Sequence, residues 1–158
     1  VMLNFGATAV MDVRPLFGPE LELGGWDVKP FAMLACPWTE VLLLDADTVL
    51  MQRPEVFFAD DGYQETGALF FTDRILGGDH AEKRRWLEGI LPTPLSKTAR
   101  ASLFYQKRTV YWQESGAVLI DKGRRLAGML ASCIINALPE RDELHAHTHG
   151  EKEGYWLG

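Results

Sequence analysis

Two carboxylates separated by one small residue, Asp45-Ala46-Asp47, are the side chains of this sequence best suited to chemistry. Carboxylates so close together repel unless a hard dication lies between them. Magnesium or manganese takes that place with oxygen ligands and completes its shell with the phosphate oxygens of a bound ester. The pair therefore points to a clamp on a diphosphate, with Asp45 and Asp47 as metal ligands and the ion stabilising the group as it departs. Acids also gather at strand ends because they make turns, so the neighbouring residues decide. Val41 to Leu44 is an unbroken apolar run directly before Asp45, Thr48-Val49 continues the chain, and Pro54 follows. In an extended strand end, residues i and i+2 point the same way, so both carboxylates would face one ion while Ala46 leaves the backbone open to a ligand.

The elements that must hold this pair repeat along the chain. Pro30 suits a first helical position, and Phe31, Leu34 and Ala35 follow at helical spacing up to Pro37. Val41 to Leu44 then reads as a strand buried on both faces, and Pro54 to Phe58 as one helical turn. Gly67 to Phe71 is a second apolar strand before Asp73. Asp79 is placed to cap a helix through Ile90, with Lys83, Arg84 and Arg85 on its wet face. Ala117 to Ile120 is a third strand closed by Asp121, entered from Glu114-Ser115-Gly116, and Leu126 to Leu138 carries helical spacing. Such alternation predicts an α/β fold, an open and mostly parallel sheet with helices on both faces, binding ligands beyond the carboxyl ends of its strands. Asp45, Asp47, Asp73 and Glu114 would share that rim.

Composition narrows the partners. The 158 residues suffice for one domain with a sizeable core, and 47% of them are apolar. Asp and Glu outnumber Lys and Arg 22 to 16, for a net charge of -6, which disfavours nucleic acid and anionic membrane surfaces. No stretch is long and apolar enough to span a membrane, and the opening Val1-Met2-Leu3-Asn4 lacks the pattern of a leader. The aromatic residues suit a core and equally a sugar cleft. Cys36 and Cys133 lie in apolar segments at no metal-binding spacing and read as core thiols. His145, His147 and His149 alternate, but as members of a solvated loop they would not close a metal site unaided.

The stretch from Lys29 to Arg74 resembles the fungal alpha-1,3-mannosyltransferase family. The residues that carry the likeness are Lys29-Pro30-Phe31-Ala32, Val41 through Asp47, Pro54-Glu55-Val56-Phe57-Phe58 and Thr66-Gly67-Ala68-Leu69-Phe70-Phe71. Gln113 through Lys122 and Gly150 through Trp156 are similar to that family's two downstream motifs, in the same order. The resemblance implies a GT-A-like fold, GDP-mannose as donor, manganese or magnesium as cofactor, and retaining transfer of mannose to a mannose-ending glycan. It also implies residence in the Golgi lumen as a type II membrane protein. Residues 1–158 would then be a single GT-A-like catalytic domain without its N-terminal anchor and C-terminal segment, reaching a membrane only through a segment outside this chain. Asp-Ala-Asp by itself does not choose between GDP and UDP sugars, and a non-catalytic glycan-binding domain of the same fold keeps the same residues.

By the same resemblance, Lys29, Asp45, Ala46, Asp47, Asp73, Ser115, Gly116 and Lys152 line the nucleotide-sugar site, and Glu114 and Glu151 are the catalytic pair. Glu114 would hydrogen-bond sugar hydroxyls or stabilise positive charge at the anomeric carbon. Gly116 would let substrate approach the backbone. The family carries Asp where this chain has Glu151, which keeps the charge but moves it by one methylene. Lys152 and Glu153 also fit as first-turn charges of a helix running to Trp156.

Overall fold

The computed structural model describes residues 10–74, 81–103, 105–106, 108–109 and 111–158. In chain order these form α1 (Val28–Ala35), β1 (Glu40–Leu44), α2 (Glu55–Phe58), α3 (Asp61–Thr66), β2 (Ala68–Thr72), α4 (Ala81–Ile90) and α5 (Lys97–Ala101). They are followed by β3 (Gln113–Asp121), α6 (Lys122–Ile135), α7 (Glu140–His147) and α8 (Glu153–Leu157). The expected cap at Asp79 lies outside the described residues. Pro30 is the third residue of α1 rather than the first, and it is buried. Helix α6 ends at Ile135, three residues before the expected Leu138, where Asn136 closes it.

The mixed α/β class holds, with a sheet of three strands ordered β1-β3-β2. Both pairings are antiparallel, Glu40 to Leu44 against Asp121 to Ala117 on one side and Ala68 to Phe70 against Ile120 to Val118 on the other. A mostly parallel sheet was the expectation. An apolar run such as Val41 to Leu44 is silent about strand direction, and the described residues show antiparallel neighbours. Strand β1 is also an edge strand whose residues are partly buried or exposed, not buried on both faces as expected. Because β1 and β2 flank an antiparallel β3, they run the same way. Their carboxyl ends, at Asp45 and Asp73, therefore meet the amino end of β3, at Glu114, along one rim.

Side chains alternate across the sheet. Val118 and Ile120 of β3 join Phe31 and Met33 of α1, Met129 and Cys133 of α6, and Tyr155 of α8 in the main core. Both cysteines are free, and burial pushes the Cys133 thiol up to about 12, as a core thiol requires. Asp121 caps α6 by accepting from the backbone N–H groups of Gly123 and Arg124 at 2.9 and 3.3 Å. Lys122, next in line, donates to the carbonyl oxygens of Leu34, at 3.1 Å, and Cys36, which ties the end of α1 to the start of α6. This tie fixes the helix that carries Lys29 relative to the sheet.

Candidate functional site

Strand β1 ends at Leu44, and Asp45 to Thr48 form a turn closed by the Thr48 N–H donating to Asp45 O at 2.9 Å. The extended geometry expected for Asp45-Ala46-Asp47 is thus replaced by a turn, which Asp at its first position favours. The turn is fastened to β3 at one atom. Gly116 O accepts from Asp45 N–H at 3.0 Å and from Thr48 Oγ1 at 2.9 Å. Despite the turn, Asp45 and Asp47 line the same cleft, together with Phe57, Phe71 and Glu114.

Glu114 is held by the irregularity it creates. Phe70 pairs with Val118 but Phe71 pairs with Glu114, so residues 115–117 bulge out of the β2 ladder. Glu114 Oε1 accepts from the N–H groups of Ser115 and Gly116 at 2.8 and 2.9 Å, satisfying donors that the bulge frees. Gly116 does bring atoms close, but they belong to the protein: a Cβ there would lie 3.3 Å from Thr48 Oγ1. Its lack of a side chain makes room for the turn rather than for an open approach.

Lys29 joins the first motif to the last. Its Nζ lies 2.6 Å from Asp45 Oδ1 and 3.0 Å from Glu151 Oε1, and Glu151 is 2% exposed. Burial alone would lower the Lys29 ammonium. The hydrogen bonds and charges of Asp45 and Glu151 outweigh it and hold the group above its usual range. A second pair lies beside it. Lys152 Nζ is 2.5 Å from Asp73 Oδ2 and 4.2 Å from the centre of the Tyr111 ring. Burial works to raise the Asp73 carboxyl, but the Lys152 ammonium and the Arg74 N–H, which donates at 2.7 Å, bring it below the usual carboxylate range.

These groups line a second cleft, which also contains Trp26, Ser115 and His149 and shares Asp45 and Glu114 with the first. Every residue expected at the site is therefore near this double cleft, with Ala46 exposed in the turn between the two acids. Across the two clefts, five carboxylates, Asp45, Asp47, Asp73, Glu114 and Glu151, stand against the cations Lys29, Arg74 and Lys152. The two uncompensated negative charges match one dication. Among the described residues no group of three His, Cys, Asp or Glu side chains could hold an ion alone. The donor set at Asp45 and Asp47 thus fits a magnesium-like ion that takes its remaining oxygens from a phosphate ester and water.

Glu153 belongs to the scaffold. It is fully buried and accepts from the N–H groups of Trp112 and Gln113 at 2.7 and 3.3 Å and from the Trp156 indole, so it ties α8 to the start of β3. Burial pushes its carboxyl upward. The three histidines do not form a solvated loop. His145 and His147 end α7, where His145 Nε2 is 3.1 Å from Asp27 Oδ1 and His147 stacks on Trp86. His149 lies beyond, with its ring 5.4 Å from that of Trp26. Sequence reasoning missed Trp26, Thr48 and Phe57. Trp26 had a signal in its place three residues before Lys29, whereas Thr48 and Phe57 owe their positions to the turn and to tertiary packing.

An acidic double cleft thus lies at the rim of a small α/β sheet, with Lys29 set between Asp45 and Glu151. Residues 3–158 match the model of the family described as "Mannosyltransferase putative", and the chain belongs to that family. It is 35% identical over 145 residues to "Putative alpha-1,3-mannosyltransferase MNN13" of Candida albicans, covering 84% of this chain and 19% of the relative. It is 29% identical over 154 residues to "Alpha-1,3-mannosyltransferase MNT3" of Saccharomyces cerevisiae, covering 82% of this chain and 24% of the relative. "Alpha-1,3-mannosyltransferase MNT2" of the same yeast is 28% identical over 152 residues, covering 84% and 26%. The chain thus spans about a fifth to a quarter of the length of the curated relatives it matches.

Proposed function

We propose that this chain is the GT-A-like catalytic domain of a divalent-cation-dependent alpha-1,3-mannosyltransferase, which moves mannose from GDP-mannose to a mannose-ending glycan with retention at the anomeric carbon. The observation that carries this reading is the convergence of the Asp45-Asp47 turn, Glu114 and the Lys29–Glu151 pair on one double cleft. The names of the yeast relatives support the transferred sugar and the linkage. The two uncompensated negative charges support the cation. Residence in the Golgi lumen through an anchor outside this chain belongs to the same reading. Among the described residues no helix is long and apolar enough to cross a membrane.

Asp45 and Asp47 would hold manganese or magnesium, whose chemistry is to neutralise a diphosphate as it departs. Lys29 offers an ammonium group beside Asp45, aligned by the buried Glu151, whereas Lys152, paired with the buried Asp73, lines the second cleft. Ser115 and Gly116 set the bulge that aims Glu114 at the junction of the clefts. There its carboxylate stabilises the positive charge that develops at the anomeric carbon. The acceptor oxygen forms the new bond to that carbon as the carbon–oxygen bond to the diphosphate breaks, and the acceptor's proton leaves with the diphosphate.

Thermal unfolding with manganese and GDP-mannose tests the reading, in the parent protein and in Asp47→Ala. A ligand that binds only the native state raises the midpoint by mass action, and Asp47 is exposed, so its loss should leave the unliganded midpoint nearly unchanged. The expected result is a rise in the parent that Asp47→Ala lacks. Equal rises in both would remove the clamp, and a rise with a UDP-hexose but not with GDP-mannose would remove the donor assignment.

A further inference from the structure

Trp26 is 54% exposed, yet its position is built rather than incidental. It sits in a short 3-10 turn, Gly25–Asp27, directly before α1 and Lys29. Gly150 backs its six-membered ring so closely that a Cβ at Gly150 would lie 3.1 Å from Trp26 Cε3, and Gly150 takes a left-handed φ of 69°. His149 continues the aromatic surface, 5.4 Å from Trp26 and 6.0 Å from Tyr111 between ring centres. This surface lies in the same cleft as Glu114, Glu151 and Lys152. A flat aromatic face ringed by charged hydrogen-bonding groups suits a pyranose, whose C–H face is apolar and whose edge carries hydroxyls.

We propose that Trp26 and His149 form the stacking platform for the terminal hexose of the acceptor. The assignment rests on the transferase reading above, and the geometry separates acceptor from donor. Asp47 lines only the first cleft, Trp26 only the second, and Asp45 and Glu114 are the residues they share. With the diphosphate at Asp45 and Asp47, the reacting carbon falls at Glu114. The next group along the line, on the side away from Asp47, is the acceptor sugar, and Trp26 is the surface it meets.

The test is calorimetric titration of the intact protein with alpha-mannobiose, for the parent, Trp26→Leu and Trp26→Phe, with the thermal shift by manganese and GDP-mannose measured alongside. One lost ring-stacking contact is worth about threefold to tenfold in affinity. Trp26→Leu should weaken mannobiose binding by that factor, Trp26→Phe should recover most of it, and the GDP-mannose shift should stay unchanged in both. Should Trp26→Leu fail to fold, His149→Ala, on an exposed residue, carries the same comparison. Unchanged mannobiose affinity in Trp26→Leu, or a parent that does not bind mannobiose, would overturn the platform. Loss of the GDP-mannose shift in the same variant would overturn the acceptor assignment. A parent that binds mannobiose through Trp26 but ignores every sugar nucleotide would keep the platform and remove the transferase reading.

Discussion

Lys29 Nζ stands 2.6 Å from Asp45 Oδ1, so the first acid of the Asp45-Ala46-Asp47 turn already carries a cation before any ligand arrives. The same ammonium also faces the buried Glu151, and one side chain thereby pairs with two carboxylates that come from the first and last motifs of the chain.

Replacing Lys29 by Met should leave both acids uncompensated and cost about 2 kcal/mol, as expected when one partner of a buried hydrogen-bonded charge set is removed. Urea unfolding at neutral pH measures it. The sign with pH follows from the raised ammonium. Its contribution is complete below the ordinary lysine value of about 10.4 and is lost as pH rises through the higher folded value. The gap between parent and Lys29→Met should therefore close only in strongly alkaline solution.

Asp73 behaves oppositely. Its carboxyl is held below the usual range by Lys152 and by the Arg74 N–H. The stabilisation is present above the ordinary value of about 3.9 and lost as pH falls through the lower folded value. Asp73→Asn should lose about 1–2 kcal/mol at neutral pH, with the difference from the parent vanishing in acid. A constant difference from pH 7 down to 2 would contradict the pairing.

Gly150→Ala combines a strained φ with a contact to Trp26, and about 1–3 kcal/mol of stability should go. Part of that loss is steric and depends on the indole. The double variant with Trp26→Ala should consequently be more stable than the sum of the single effects predicts, a coupling that a double-mutant cycle reads directly.

Thr48→Val keeps the shape of the side chain and deletes its bond to Gly116 O. Stability should fall by about 1 kcal/mol. If the turn positions Asp47 for a cation, the variant should also show a smaller midpoint rise with manganese and GDP-mannose, and an undiminished rise would separate the turn from ligand binding.

Much of this arrangement could be read from the residues alone, for identifiable reasons. The apolar runs at Val41 and Ala117 are long enough to mark strands, and Asp45 after the first marks the rim, whereas Asp121 after the second lies at the far end of the sheet because β3 runs the other way. Strand direction could not be read, because burial on both faces looks the same in parallel and antiparallel sheets. Helix α3 was overlooked although Asp60 caps it, accepting from Tyr63 N–H at 3.1 Å, and Gly67 ends it at a φ of 76°. Those two local signals stood on either side of a segment too short to show periodicity. Helix α5 likewise has only Ser96 as its cap. At the site, Lys29, Asp45 and Glu151 were each named, but their bridging needed the third dimension. Glu153 also fits in sequence as a first-turn charge of a helix, a position usually solvated, and tertiary packing instead buries it against β3.

The single carbonyl of Gly116, which accepts from both Asp45 and Thr48, also limits how chain length can drift within this lineage. Loops lengthen at little cost when their ends stay where they are. One residue inserted between Gly116 and Asp121, however, would turn Val118 and Ile120 away from the core and carry that carbonyl off the turn it anchors. Insertions and deletions among relatives should therefore collect in exposed stretches such as Met51 to Arg53 and Pro92 to Pro94, and be missing from residues 113–121.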